Sequence, residues 1–235
     1  MQTVSFLGIA DPVSSLSHLL GAGMFALLAV RMLRAVRCRP VRLAVLGLYC
    51  FSVVFLLLLS GLYHLFPAGS AARLVFQRLD HAAIFLLIAG TFTPPHVLLF
   101  RGVWRWGPLL LIWAAAVTGM VLKSVFFQQL SSPWGTALYI ALGWLGLIGG
   151  MRLVALYGWS LVEPLFWGAV AYTAGALVEL EKSVVIIPGV LGSHELFHLA
   201  VLAGIGLHWR FIGSFALAEP EKACPKLDAC DTMGR

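Results

Sequence analysis

The stretch Arg42–Leu65, RLAVLGLYCFSVVFLLLLSGLYHL, decides how this chain is built. After Arg42 it holds no Asp, Glu, Lys or Arg, and its apolar side chains follow one another without the alternation of a half-buried strand. One helical crossing of a bilayer takes about 20 residues at 1.5 Å rise per residue, so the stretch reads as a membrane-spanning helix. Continuous runs also disfavour an outer-membrane barrel, whose strands alternate.

Six further predominantly apolar runs, each carrying only one or two charged residues, lie at Pro12–Leu33, Leu79–Phe100, Trp106–Phe126, Trp134–Val154, Leu161–Leu180 and Gly192–Ala216. The expected fold class is therefore all-α: a polytopic membrane protein with a seven-transmembrane helix bundle over residues 1–216 and a short polar tail at 217–235. No internal repeat or low-complexity tract interrupts it. The first run lacks a basic leader and a small-residue cleavage site, so it reads as a retained helix. Of the 235 residues, 60% are hydrophobic and 11% charged. Soluble domains carry about 25% charged residues, which excludes a soluble enzyme, a disordered regulator and a disulfide-stapled secreted domain. The four cysteines match no paired zinc spacing and read as isolated thiols, with at most one disulfide in the tail.

The net charge of +6 is arranged for a membrane and not for nucleic acid. Arg31, Arg34, Arg37, Arg39 and Arg42 crowd the first connection, and alternate connections hold twelve Lys and Arg on one side against four on the other. By the positive-inside rule the amino terminus is outside and the carboxyl terminus cytoplasmic. The Arg31–Arg42 segment then reads either as an anchor for anionic lipid or as a topology signal alone. Trp104, Trp106, Trp134, Trp159 and Trp209 read as an interfacial belt, and Pro94-Pro95 as the end of the third span or a kink in it.

Ionisable side chains inside spans are expensive and mark function by default. Parity of the spans gathers most of them at one end of the bundle: Asp11 and His18, Ser60 and His64, Asp80 and His81, Glu179 and Glu181, then His194, Glu195 and His198. His194 and His198 are four residues apart and share one helix face. With His64 beside them, three imidazoles converge on one metal ion, for which Zn2+ is the fitting choice, with a fourth position left for water. Asp80 could orient a ligand imidazole or take a proton from that water; Ser60 could bond the His64 ring or a reacting carbonyl. His18 and His81 read as helix-packing or supporting residues. A competing motif, His194-Glu195-Leu196-Phe197-His198, matches the H-E-x-x-H pattern of metalloproteases, in which Glu195 would be the general base.

Taken together, Ser60-Gly61-Leu62-Tyr63-His64, Leu79-Asp80-His81 running to Gly90-Thr91-Phe92-Thr93-Pro94, and His194-x-x-x-His198 resemble the hemolysin III group, the bacterial branch of the progestin and adipoQ receptor family. The resemblance runs from Asp11 to about Arg210. A weaker match is Asp11 through Ser14 to His18, where the family usually has Glu and Asn for Asp11 and Ser14. The resemblance implies a seven-helix fold and a zinc ion on His64, His194 and His198, with Asp80 acting through a water. Alkaline ceramidases share the pattern and hydrolyse a lipid amide. Glu195 is a common occupant of its position in the bacterial branch, which puts the protease reading behind. Adiponectin receptors carry their zinc on the cytoplasmic side, whereas the charge count here puts the histidine end outside, facing the periplasm if the protein is bacterial.

Three functions follow as expectations for this multi-pass cell-membrane protein. The first is a zinc-dependent hydrolase of lipid amides or esters, with a lipid or fatty-acyl substrate and a metal-bound water. The second is a non-catalytic sensor or regulator of membrane state with a structural zinc. A pore-forming cytolysin is disfavoured, because no span carries a charged stripe. Enclosed acyl-chain space beside Gly143, Gly146, Gly149 and Gly150 would favour the hydrolase; close helix packing is the plainer account of those glycines.

Overall fold

A computed structural model of the protein describes residues 8–127 and 132–217, together with Ser5 and Gln129. Apart from Leu217, the polar tail expected at 217–235 lies outside the described residues.

The chain folds into α1 (Pro12–Ala35), α2 (Pro40–Leu65), α3 (Ala71–Leu99), α4 (Val103–Val125), α5 (Ser132–Trp144), α6 (Gly146–Tyr157), α7 (Trp159–Glu181) and α8 (Ser193–Ala216). Helices α5 and α6 are two halves of one span, so seven segments are long and apolar enough to cross a membrane. A two-stranded antiparallel hairpin, β1 (Val185–Ile187) and β2 (Leu191–Gly192), links α7 to α8. Leu20, Leu27, Leu110 and Leu111 are each more than half exposed on the outside of the bundle, where only lipid would accept so much apolar surface.

Neighbouring helices pack in sequence, and the contact of α1 with α8 closes the bundle. The core lies between α1, α2 and α8, where Leu46, Tyr49, Val53, Leu57, Phe211 and Ile212 have no exposed surface. Arg42 donates to the Phe215 and Ala216 carbonyls at 3.5 and 2.7 Å, so one of the five clustered arginines ties α2 to the negative end of α8.

Local chemistry sets both ends of the third predicted span. Helix α3 starts at Ala71 rather than Leu79, because the Ser70 hydroxyl accepts the Arg73 N–H and caps its first turn. The charged turn at Arg73 to Arg78 had hidden it from a hydropathy reading. Nor does Pro94-Pro95 end α3. The Thr91 and Thr93 hydroxyls donate to the Leu87 and Ala89 carbonyls at 2.8 Å within the turns that precede the prolines, and the helix continues to Leu99. Trp209 departs from the expected interfacial belt: it packs inward on Phe25 and Tyr49, with ring centroids 5.1 and 5.5 Å apart. Cys50 is a buried free thiol, but Cys38 is disulfide-bonded, contrary to its reading as isolated.

The end of the bundle that carries the histidines is set by close approach of α1 to α2. The Ala10 and Asp11 amides donate to the Leu65 and His64 carbonyls, and the Ser15 hydroxyl donates to the Gly61 carbonyl at 2.9 Å. A Cβ on Gly61 would come within 2.6 Å of the Leu19 side chain and 3.2 Å of its backbone nitrogen. Gly61→Val should therefore destabilise the fold by about 1–3 kcal/mol, seen as a lowered unfolding temperature in detergent. Gly47→Ala, which meets nothing within 4 Å, should leave that temperature unchanged.

Candidate metal centre

Three imidazoles meet where α2 ends and α8 begins. Nε2 of His194 lies 3.2 Å from Nε2 of His64 and 3.0 Å from Nε2 of His198. The three ligand atoms lie within 4.8 Å of one another, and His64 and His198 are almost fully buried. Four-residue spacing on α8 stacks His194 and His198; the α1–α2 clasp brings His64 to them.

What stands behind each ring fixes what its Nε2 can do. His64 Nδ1 lies 2.9 Å from Asp11 Oδ2, and His194 Nδ1 lies 3.3 Å from Glu179 Oε1. A carboxylate only accepts, so both Nδ1 atoms carry the proton and both Nε2 atoms present bare lone pairs. Behind His198 stands His18, whose Nε2 is 3.0 Å from His198 Nδ1 and 3.2 Å from the His198 carbonyl oxygen. The carbonyl only accepts, so His18 Nε2 carries the proton, and His198 joins the cluster without an acceptor of its own behind Nδ1. Two such lone pairs, with His198 Nε2 beside them, repel unless a proton or a cation sits among them. Tetrahedral zinc with bonds of 2.0–2.1 Å would hold its nitrogens about 3.3 Å apart, close to the separations found here.

Sequence reasoning left Asp80 either to orient a ligand imidazole or to act on a metal-bound water; in the structure it is Asp11 that stands behind the His64 ring. Asp11 orients His64 and is itself held by Arg73, whose Nη2 donates to the same oxygen at 2.6 Å. Arg73 also donates to the Phe66 carbonyl and lies over the Tyr63 ring. Glu179, placed by parity at this end without a role, backs His194. The signal for both was present, since a ligating imidazole needs an acceptor on its second nitrogen. Which carboxylate serves depends on the α1–α2 and α7–α8 contacts, and one-dimensional spacing does not contain those.

Asp80 and Ser60 are brought together instead. The buried Ser60 hydroxyl donates to the Asp80 carboxylate rather than to the His64 ring. Asp80 lies in the wall of a cavity that it shares with His194 and His198. His81 stands on that wall too, with Nδ1 donating to the Gln77 carbonyl at 2.6 Å. Glu195 is turned away from the cluster. Its Oε2 accepts the Gly192 N–H at 2.9 Å at the start of α8, and its Oε1 faces the Ser14 hydroxyl.

The cavity has a volume of about 840 Å³ and runs from Asp80 and the histidines down between α3, α5, α6, α7 and α8 to His96 and Trp159. Ile84, Ile88, Ile140, Val162, Phe166 and Val201 give it apolar walls. Gly143, Gly146, Gly149 and Gly150 all line it. Of the four only Gly146 is tightly packed, against Phe92, so close helix packing does not account for the set.

Fold and site together define a seven-helix membrane protein with an intramembrane histidine centre able to hold a metal. Residues 8–209 match the family described as "Haemolysin-III related", and the chain belongs to that family. It is 35% identical over 159 residues to Hemolysin-3 of Bacillus cereus, covering 66% of this chain and 68% of the relative. It is 29% identical over 153 residues to a Hemolysin-3 homolog of Bacillus subtilis (strain 168), covering 65% and 68%. The similarity extends to "Heptahelical transmembrane protein ADIPOR1" of Oryza sativa subsp. japonica, 29% identical over 195 residues, which covers 73% of this chain and 50% of that one. The protein is accordingly a multi-pass protein of the cell membrane.

Loss of an orienting carboxylate usually weakens metal binding 10- to 100-fold. Asp11→Ala should show a loss of about that size for a divalent metal, measured by competition with a chromogenic chelator. An unchanged affinity would mean that Asp11 does not hold His64 for a ligand.

Proposed function

We propose that the protein is a zinc-dependent hydrolase of lipid amides or esters, acting inside the bilayer. One observation supports this above the others: the apolar cavity opens directly onto Asp80, His194 and His198. A site that merely stapled helices together would need no acyl-sized space beside it. A seven-helix bundle embedded in lipid can draw a fatty-acyl substrate into such a space sideways.

His64, His194 and His198 would hold the zinc. When bound there, zinc supplies polarisation of a carbonyl and a lowered pKa for a coordinated water. Asp80 takes the proton from water as its oxygen adds to the carbonyl carbon. Ser60 keeps the carboxylate aimed by its hydrogen bond. The C–N or C–O bond then breaks, and the proton passes from Asp80 to the leaving amine or alcohol. The cavity walls hold the acyl chain and exclude water from its length. Arg31 to Arg39, on the opposite end of the bundle, would meet anionic lipid headgroups.

A non-catalytic sensor or regulator with a structural zinc is the second reading, favoured by the way the triad joins α2 to α8. The relatives' name suggests lysis, but a pore-forming role gives the metal cluster no work. A metalloprotease reading lacks its base, since Glu195 is engaged at the helix start.

The purified protein should carry close to one zinc per chain by elemental mass spectrometry, lost in His64→Ala and His198→Ala and kept in His208→Ala. It should release fatty acid from a short-chain fluorescent ceramide or the matching ester. Asp80→Asn should keep its zinc and lose about 100-fold or more in turnover. Stoichiometric zinc with no cleavage of either substrate would favour the structural role. A well-folded protein free of any transition metal would overturn both readings.

A further inference from the structure

The cavity has a polar group at its far end as well. His96 stands on α3 sixteen residues beyond Asp80, about 24 Å along the helix, which is most of a hydrocarbon core about 30 Å thick. The facing wall keeps step with α3. Tyr139 Oη donates to the His81 carbonyl at 3.0 Å, and a Cβ on Gly146 would come within 2.6 Å of the Phe92 ring. A Cβ on Gly149 would lie 3.7 Å from His96 Nε2. Helices α5 and α6 thus descend along α3 level by level, and Gly149 faces His96 at the end farthest from the histidine cluster.

The two nitrogens of His96 are used differently. Nδ1 lies 2.9 Å from the Trp104 carbonyl oxygen, which only accepts, so Nδ1 carries the proton and Nε2 is a bare acceptor. Among the described residues, the fully enclosed side-chain atoms that lack a hydrogen-bond partner are His18 Nδ1, Tyr49 Oη and His208 Nδ1. His96 Nε2 also lacks a partner but is not one of them, so it keeps open surface although the residue as a whole is only 3% exposed. That surface belongs to the cavity. His96 and Gly149 both line it, and among the described residues Nε2 is the one atom from another helix within 4 Å of the Gly149 Cβ position. A side chain at 149 would cover the nitrogen; glycine leaves it bare. Phe92 and Phe100 flank the imidazole, with ring centroids 6.2 and 5.0 Å away, and neither side chain has a donor to offer it.

We propose that His96 Nε2 and the open space beside Gly149 form a subsite for a hydroxyl at the far end of a long acyl chain. This rests on the reading of the cavity as an acyl site, and it names a substrate class within that reading: lipids with an ω-hydroxylated chain. With its carbonyl at Asp80 and the histidines, a chain reaches His96 only when extended, so the hydroxyl that meets Nε2 stands at or near its terminus. Water entering at this end would donate the same bond. The two sources differ in that only a subsite for the chain's own hydroxyl makes His96 decide between ligands.

The test is displacement of a dansyl-labelled fatty acid from the full-length protein in detergent by palmitate or by ω-hydroxypalmitate. Wild type should bind the two within about threefold of each other, because the bond to Nε2 offsets the lost hydration of the hydroxyl. His96→Asn keeps a donor where Nδ1 meets the Trp104 carbonyl and removes the acceptor at Nε2. It should weaken ω-hydroxypalmitate relative to palmitate by about tenfold, the cost of a buried hydroxyl without a partner. Gly149→Val fills the space beside Nε2 and leaves His96 in place. It should weaken both acids and spare laurate, a chain too short to reach that end, whose binding also shows that the variant is folded. An unchanged ratio in His96→Asn would give Nε2 to water and overturn the proposal. So would full affinity for ω-hydroxypalmitate in Gly149→Val, or its rejection by wild type tenfold or more relative to palmitate. Failure of every acid to displace the probe from wild type would remove the acyl cavity itself, and the subsite with it. Because the assay needs neither turnover nor metal, the expected ratios without lipid cleavage would sustain the subsite and count only against the hydrolase.

Discussion

Three imidazole nitrogens gathered at one end of the helix bundle, with His194 Nε2 3.2 and 3.0 Å from those of His64 and His198, form the constraint around which this molecule is arranged. The two lone pairs held bare by carboxylates would repel each other without a proton or a cation between. The surroundings raise the stakes further. Asp11 and Glu179 hold the protons of two of the rings on the far nitrogen. Arg73 offsets the charge of Asp11 where it would otherwise meet lipid. The bonds of Ala10, Asp11 and Ser15 to the end of α2 then look less like incidental packing than like the brace that keeps His64 in place.

From that end, the helices separate functionally. Helices α1, α2 and α8 make the dense core, in which Gly61 and Gly21 allow close approach. Helices α3, α5, α6 and α7 stand back and leave the cavity, one end of which holds Asp80, His194 and His198. A tight half and a hollow half give the metal centre a rigid support on one side and an apolar approach on the other. A carboxylate inside lipid is costly, and Asp80 is tolerated there through the Ser60 hydroxyl and its position on the cavity wall.

Much of this was legible in the sequence. Seven predominantly apolar runs without strand alternation gave the spans, because in a bilayer the backbone must close its own hydrogen bonds as a helix or a barrel. The four-residue spacing of His194 and His198 gave two members of the histidine cluster directly, and parity supplied His64. Other features depended on contacts between distant segments. Asp11 lies before the first span and gains meaning only when it meets His64; nothing in its own neighbourhood distinguishes it from Asp80. The stretch from Ala71 to Arg78 reads as a loop by hydropathy, yet the Ser70 cap makes it helix. Gly143, Gly149 and Gly150 look like helix-packing glycines, and only the three-dimensional arrangement reveals that they leave space open.

The central claim is that His64, His194 and His198 hold one metal through Nε2. X-ray absorption at the metal edge of the purified protein tests it most directly. The account predicts a four-coordinate zinc with three imidazole nitrogens and one oxygen at about 2.0–2.1 Å. Sulfur in the coordination sphere, or a six-coordinate shell of oxygens without imidazole scattering, would contradict it.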